Sequence, residues 1–302
     1  MTSIKIAIKP TSNDSIVKFE ANEFITQHQS YEFNNIDDAK PSPLAQQLFY
    51  LPFVKKVYIS GNFIAIERYD IVQWADVQDD VAEQIESYLN SGGDVITANE
   101  SNSNKKVPVT VYAESTPNPS VMKFVANKKL VLQPVEFNSI DDSKSAPFAS
   151  ELFHFPFVKG VFMDENFVSI TKYDVAEWTD ITMEIREFVR SYIETGKPIL
   201  LESTSNSEVQ KNIETKANFE SLDDTSKQIV SILDEYIKPA VASDGGNIEF
   251  ISFDANSKKV EVLLQGACSG CPSSTFTLKN GIENMLKEML NDSSITVNAV
   301  NG

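Results

Sequence analysis

The chain has 302 residues, 26 basic against 43 acidic side chains, a net charge of −17 and an isoelectric point near 4.6. A field of that sign repels phosphate backbones and anionic lipid, so neither nucleic acid nor a membrane surface is a natural partner. No apolar run approaches the roughly 20 residues that span a bilayer, and the opening MTSIKIAIKP shows neither an Arg-rich transit pattern nor a signal-peptide core. These features predict a cytoplasmic protein. The 41% hydrophobic content is that of a chain able to bury ordinary cores. Two cysteines cannot form a disulfide framework, and in a reducing compartment a close pair points to metal or redox chemistry.

In chain order, SIKIAIK, IVKFEA and FIAIERY alternate apolar and polar residues as strands do, the last paired with KKVYI through the turn SGN. SPLAQQLFYL and DVQDDVAEQIESYLNSGG have helical spacing, the second opened by Asp76 and closed by Gly92. Residues 33–74 then recur as 137–178 with roughly half the positions identical and no gap, and TSNDSIVKFEAN recurs upstream as TPNPSVMKFVAN. Asp180 and Gly196 take the places of Asp76 and Gly92. Copies of about 95 residues are too long for solenoid units and too few for an array, so each is expected to be an independent domain. The fold class expected is α+β: two tandem sandwiches of helices on a sheet, at 1–100 and 108–203, then a small αββαβ domain at 222–302. TANESNSNKKVP between the copies and the stretch 204–221 are poor in large apolar residues and read as linkers, so the three parts are expected to move independently.

The last part begins with a helix over LDDTSKQIVSILDEYIKPAVA, whose apolar face carries Ile229, Ile232, Leu233, Tyr236 and Ile237 and whose end carries Pro239. Two strands follow around ASDGGNIEF and VEVLLQG, then a helix with Leu278, Ile282, Met285, Leu286 and Met289 on one side, then the strand SITVNAV.

Both cysteines, Cys268 and Cys271, lie in GACSGCPSS between the second strand and the second helix. Gly266 and Gly270 relieve the backbone there, Pro272 suits a first helical position, and a thiol at the helix start is stabilised as thiolate. Three chemistries are open. A thioredoxin-like redox pair is disfavoured because only 31 residues follow Cys271, too few for most of that sheet. An inert buried pair is disfavoured by the Gly-rich setting. A metal or cluster site normally takes four protein ligands. This chain offers two thiols, and neither His28 nor His154 recurs in the other copy. A twofold axis would complete the set with two plus two thiolates from two chains.

IKPAVASDGGNIEF followed by VLLQGACSGCPSSTFTLKNGIENML resembles the C-terminal domain of the NifU/Nfu-type iron–sulfur scaffold and carrier proteins over nearly all of 222–300. Each repeat is similar to the Nfu N-terminal domain through TPNPSVMKF, LFHFPFVKGVF and the Trp-ended strand region. The resemblance implies a protein that is not an enzyme. It would bind a [4Fe-4S] cluster between two chains through Cys268 and Cys271, receive it from upstream assembly proteins and pass it to apo-proteins. The nuclearity in the cell, [4Fe-4S] or [2Fe-2S], stays open. Asp244, Gly245 and Gly246 match the family's DGG turn and would shape the loop near the site. The duplicated N-terminal domain departs from the family's usual single copy. A thiol–disulfide oxidoreductase or persulfide donor using the same pair is the alternative, and zinc shared across a dimer is a third reading. The recurring pairs Asp37-Asp38 and Asp141-Asp142 are expected to start a helix, against a divalent-ion or acid–base site. Trp74, Trp178, Phe53, Phe157, Phe63 and Phe167 are expected in the cores.

Overall fold

A computed structural model describes residues 3–26, 29–97, 108–201, 222–269 and 272–301, the side chains of 272–276 excepted. The expected linker at 204–221, most of the stretch joining the repeats, His28 and Cys271 lie outside the described residues. The chain divides into two compact units, 1–109 and 110–302.

The first unit is a five-stranded antiparallel sheet with two helices against one face. Its strands are β1 (Ile6–Pro10), β2 (Ile16–Ala21), β3 (Ser30–Phe33), β4 (Val54–Ser60) and β5 (Phe63–Arg68), in spatial order β1-β2-β5-β4-β3. Alternation decides which face is buried: Val17, Phe19 and Ala21 point inward from β2, Ile64 and Ile66 from β5. Helices α1 (Pro43–Phe49) and α2 (Trp74–Asn90) cover them with Leu44, Leu48, Val81, Ile85 and Leu89. Ser42 caps α1 by accepting a hydrogen bond from the Ala45 N–H at 3.1 Å. The hairpin β4–β5 turns at Gly61-Asn62, where Gly61 adopts φ +58°.

Helix α2 starts two residues before Asp76. Trp74 occupies its first turn because the indole is buried against Phe19 and Phe53 while its Nε1–H donates to the Ser15 carbonyl at 3.0 Å. Asp76 instead adds negative charge near the helix start. The pairs Asp37-Asp38 and Asp141-Asp142 serve the turns ahead of the next helices. Asp38 accepts from Asn35 Nδ2 and Asp142 from Ser139 Oγ, while Asp37 and Asp141 pair with Lys40 and Lys144.

The second repeat rebuilds the same sheet from β6 (Val111–Ser115), β7 (Val121–Ala126), β8 (Val135–Phe137), β9 (Val158–Asp164) and β10 (Phe167–Lys172), order β6-β7-β10-β9-β8. Helices α3 (Pro147–Leu152) and α4 (Trp178–Thr195) lie on it, α4 ending at Gly196 with φ +70°. Trp74, Phe53, Phe157 and Phe167 are buried as expected, whereas Trp178 and Phe63 are half-buried.

The C-terminal domain starts with α5 (Asp224–Ile232), capped by Asp223, and continues through a π-turn at Leu233–Ile237 into α6 (Lys238–Ser243). The one long helix expected here is broken because Pro239 has no N–H to give the preceding turn. Tyr236 thereby leaves the apolar face and is 46% exposed. Strands β11 (Gly246–Asp254) and β12 (Lys259–Gly266) pair antiparallel. Helix α7 (Pro272–Met289) then crosses back so that β13 (Thr296–Asn301) runs parallel to β12. Ile229, Leu233, Ile248, Val260, Val262, Ile282 and Leu286 form the core. Leu278 and Met285 pack on its margin, and Met289 is exposed. No helix among the described residues is long and apolar enough to cross a membrane.

The second repeat and the C-terminal domain, expected to be independent, pack into one compact unit. The outer faces of the two repeat sheets record this. In β5 every second residue is half-exposed, whereas the equivalent β10 is buried on both faces for its first four residues. Two predictions follow from that covered face. Phe167→Ala is expected to cost ~3 kcal/mol or more and Phe63→Ala, its equivalent on the open face, clearly less, compared by urea denaturation against the parent. Asp164, at the end of β9, has its carboxyl raised to about 6 by burial, then by the Glu165 charge, against the opposing charges of Lys238 and Lys129. A raised folded-state value gives stability that is full below the ordinary carboxylate range and lost as pH rises through about 6. The melting temperature of Asp164→Asn should therefore gain on the parent from about pH 4 to about pH 7, and a constant difference would contradict the assignment.

Candidate functional site

Cys268 lies two residues beyond the end of β12, and the geometry of its loop is set by missing Cβ atoms. Gly246 opens β11 and pairs with Gly266, the last residue of β12. A Cβ on Gly246 would lie 2.8 Å from the Cys268 Sγ and 2.6 Å from the Gln265 carbonyl oxygen. The thiol therefore rests against bare backbone, and Cys268 is only 6% exposed as part of the domain core. The Ala267 N–H donates to the Gly245 carbonyl and the Ser269 N–H to the Gly266 carbonyl, both at 3.1 Å, tying the cysteine loop to the turn 244–246. Gly245 and Gly266 have φ +83° and +61°, values that residues bearing a side chain resist.

The turn and loop are also gripped from outside, by the sheet face of the second repeat. Asn118 donates through Nδ2 to the Ala267 carbonyl at 3.1 Å and lies 3.5 Å from the Ser269 carbonyl, one on each side of Cys268. Ser169 Oγ donates to the Gly245 carbonyl at 2.7 Å and Lys123 Nζ to the Ser243 carbonyl at 3.1 Å. The Gly266 N–H donates to Glu136 Oε1 at 3.0 Å. Burial pushes the Glu136 carboxyl up, and that N–H partly offsets the shift. Phe162 and Ser169 fill the space where side chains on Gly266 and Gly245 would stand. Beside Cys268 opens an apolar cleft of about 330 Å³, bounded by Pro117, Tyr236, Asp244, Leu278 and Met285.

Of the residues singled out from the sequence, Cys268, Asp244, Gly245 and Gly246 come together here, and Cys271 falls outside the described residues. His154 is exposed on the second repeat. Sequence reasoning missed Asn118, Lys123, Glu136 and Ser169. Two of them stand in the TPNPSVMKF stretch, but Asn13 and Lys18 occupy the same places in the first repeat, so the repeat alignment gives no sign of a second role.

The description "Scaffold protein Nfu/NifU N terminal" fits residues 6–92 and again 111–196, and "NifU-like domain" fits 229–297. The Arabidopsis thaliana protein named "NifU-like protein 4, mitochondrial" is 35% identical over 183 residues, 60% of this chain and 63% of the relative. The Drosophila willistoni protein named "NFU1 iron-sulfur cluster scaffold homolog, mitochondrial" is 35% identical over 179 residues, 59% of each. This chain thus spans less than two thirds of the length of these relatives. A solved NifU-like protein from Saccharomyces cerevisiae overlays 33% of this chain and 92% of its own with a TM-score of 0.30 at 18% identity, too loose to add to the argument.

The cytoplasmic expectation is corrected by these relatives, whose names place them in mitochondria. Charge and hydropathy report on solubility and on membrane crossing, and reduced thiols suit more than one compartment, so neither fixes location. A sheet-and-helix repeat matched twice, followed by a glycine-framed cysteine loop matched once, makes this chain a member of the Nfu/NifU family of iron–sulfur cluster scaffold proteins.

Proposed function

We propose that this protein binds a [4Fe-4S] cluster as cargo between two chains, each giving Cys268 and Cys271, and delivers it to apo-proteins. The observation that carries the reading is the framing of Cys268 by Gly245, Gly246 and Gly266, which ties the two motif loops into one small site. Thiolate donors suit iron–sulfur centres, and two per chain is half of a usual set. A site completed by a twin is held from each side by few bonds, which suits handing its contents on.

The reading divides the chain into repeats at 1–100 and 108–203, a linker at 204–221 and a cluster domain at 222–302. The repeats hold no cysteine, so they cannot give thiolate ligands. Their role is to hold a client beside the cluster domain, where a tether raises effective concentration. The names of the relatives support a mitochondrial setting, and that of the Drosophila protein a role as scaffold.

Anaerobic reconstitution with iron and sulfide is expected to give a brown dimer with about four iron atoms per two chains. Cys268→Ala and Cys271→Ala should each abolish iron binding while leaving the far-ultraviolet circular dichroism unchanged. Native mass spectrometry that found the whole centre in one chain, or iron retained by either variant, would remove the proposal.

A further inference from the structure

We propose that the second repeat is a clamp on the cysteine loop of its own chain, holding Cys268 turned inward against Gly246 until the two domains part. The hydrogen bonds described across this contact end on backbone atoms of the two motif loops and of Ser243, the residue just before the first of them. Asn118 spans the carbonyls on either side of Cys268, Ser169 and Lys123 take those of Gly245 and Ser243, and Glu136 takes the Gly266 N–H. The clamp therefore acts by fixing the backbone path of the loop on both sides of Cys268.

The first repeat supplies an internal comparison, because it has the same sheet without the seat. At the positions of Gly160, Phe162 and Ser169 it carries Lys56, Tyr58 and Ala65. Lys56 reaches Glu32, the counterpart of Glu136, at 3.2 Å, so that carboxylate already has a cation of its own. Lys18 lies over Phe63 at 4.4 Å as Lys123 lies over Phe167 at 4.7 Å, so the first repeat keeps Asn13, Lys18 and Glu32 in the places of Asn118, Lys123 and Glu136 but lacks the Ser169 hydroxyl, the small Gly160 and a carboxylate left open by a neighbouring lysine. The seat is thus particular to the second repeat and built for the loop it holds.

A thiol packed against Gly246 cannot at the same time reach a centre shared with another chain, so loading requires release. That last step rests on the shared-cluster reading; the clamp does not, and it is tested without iron. In the full chain with Cys271→Ser, Cys268 is the sole thiol, and its alkylation by iodoacetamide is followed in metal-free buffer. Asn118→Asp keeps the oxygen that accepts from the Ser120 N–H and replaces the donor with a charge facing two carbonyls. It is expected to speed alkylation about tenfold, and Ser169→Ala, which installs the residue of the first repeat, about fivefold. Asn13→Asp makes the same change on the first repeat, where Asn13 likewise accepts from the Ser15 N–H, and should leave the rate unchanged. Parental rates in both Asn118→Asp and Ser169→Ala, or equal acceleration by Asn13→Asp, would overturn the clamp. Loss of iron binding by the cysteine variants alongside parental alkylation rates would leave the cluster reading standing and the clamp refuted.

Discussion

The contact between the Cys268 sulfur and the backbone of Gly246 is the constraint from which the rest of the site follows. A Cβ at residue 246 would sit inside the thiol, and one at 266 would strike Phe162, so the loop keeps its path only while both positions are bare. Gly246 and Gly266 are also the pair that opens the β11–β12 ladder, which places the thiol at the mouth of the sheet. The same ladder leads through α7 to the parallel strand β13, so the core of the C-terminal domain and the seat of its cysteine share one framework.

Duplication has left one sheet open and one covered, and burial along the strands shows how. Both repeats turn Phe19 or Phe124 inward, where neither is exposed at all. On the outward side, β5 keeps the half-exposed alternation of a two-layer sandwich, while β10 carries Phe167 and Ser169 under a second domain. Few changes suffice for the difference. A glycine in place of Lys56 removes a long cation, and a serine in place of Ala65 adds one hydroxyl that bonds Gly245. Asp164, half-buried where the first repeat has Ser60, has its carboxyl pushed up by desolvation, a cost that the uncharged Ser60 does not incur.

Much of the fold was legible because it rests on local rules. Period-two alternation marks β2 and β5, helical spacing marks Val81, Ile85 and Leu89, and the hairpin at Gly61 is announced by SGN. The start of α2 was misplaced because Asp76 looks like a cap, whereas the buried indole of Trp74 sets the first turn. The π-turn at Leu233–Ile237 was missed because the apolar spacing runs through it, and only the missing N–H of Pro239 reveals the break. At the site, Cys268 and the glycines around it were readable as a motif. Asn118, Glu136 and Ser169 were not, since their partners are backbone atoms more than 70 residues away and leave no pattern in the sequence.

The strength of the grip on the loop can be bounded. A neutral hydrogen bond contributes about 0.5–1.5 kcal/mol net, and one to a charged group about 1.5–3. Asn118 and Ser169 belong to the first class, Lys123 and Glu136 to the second. Desolvation of Glu136, whose carboxyl is pushed up by burial, subtracts from the total. What remains is a few kcal/mol, enough to keep the loop seated most of the time and small enough to be outcompeted. Thiolate–metal bonding is far stronger; the apparent binding free energy of a structural zinc site alone is about 10–16 kcal/mol. On the proposed reading, a contact of this size would set when the cysteine is available without deciding where it finally binds, which is the balance a carrier of shared cargo requires.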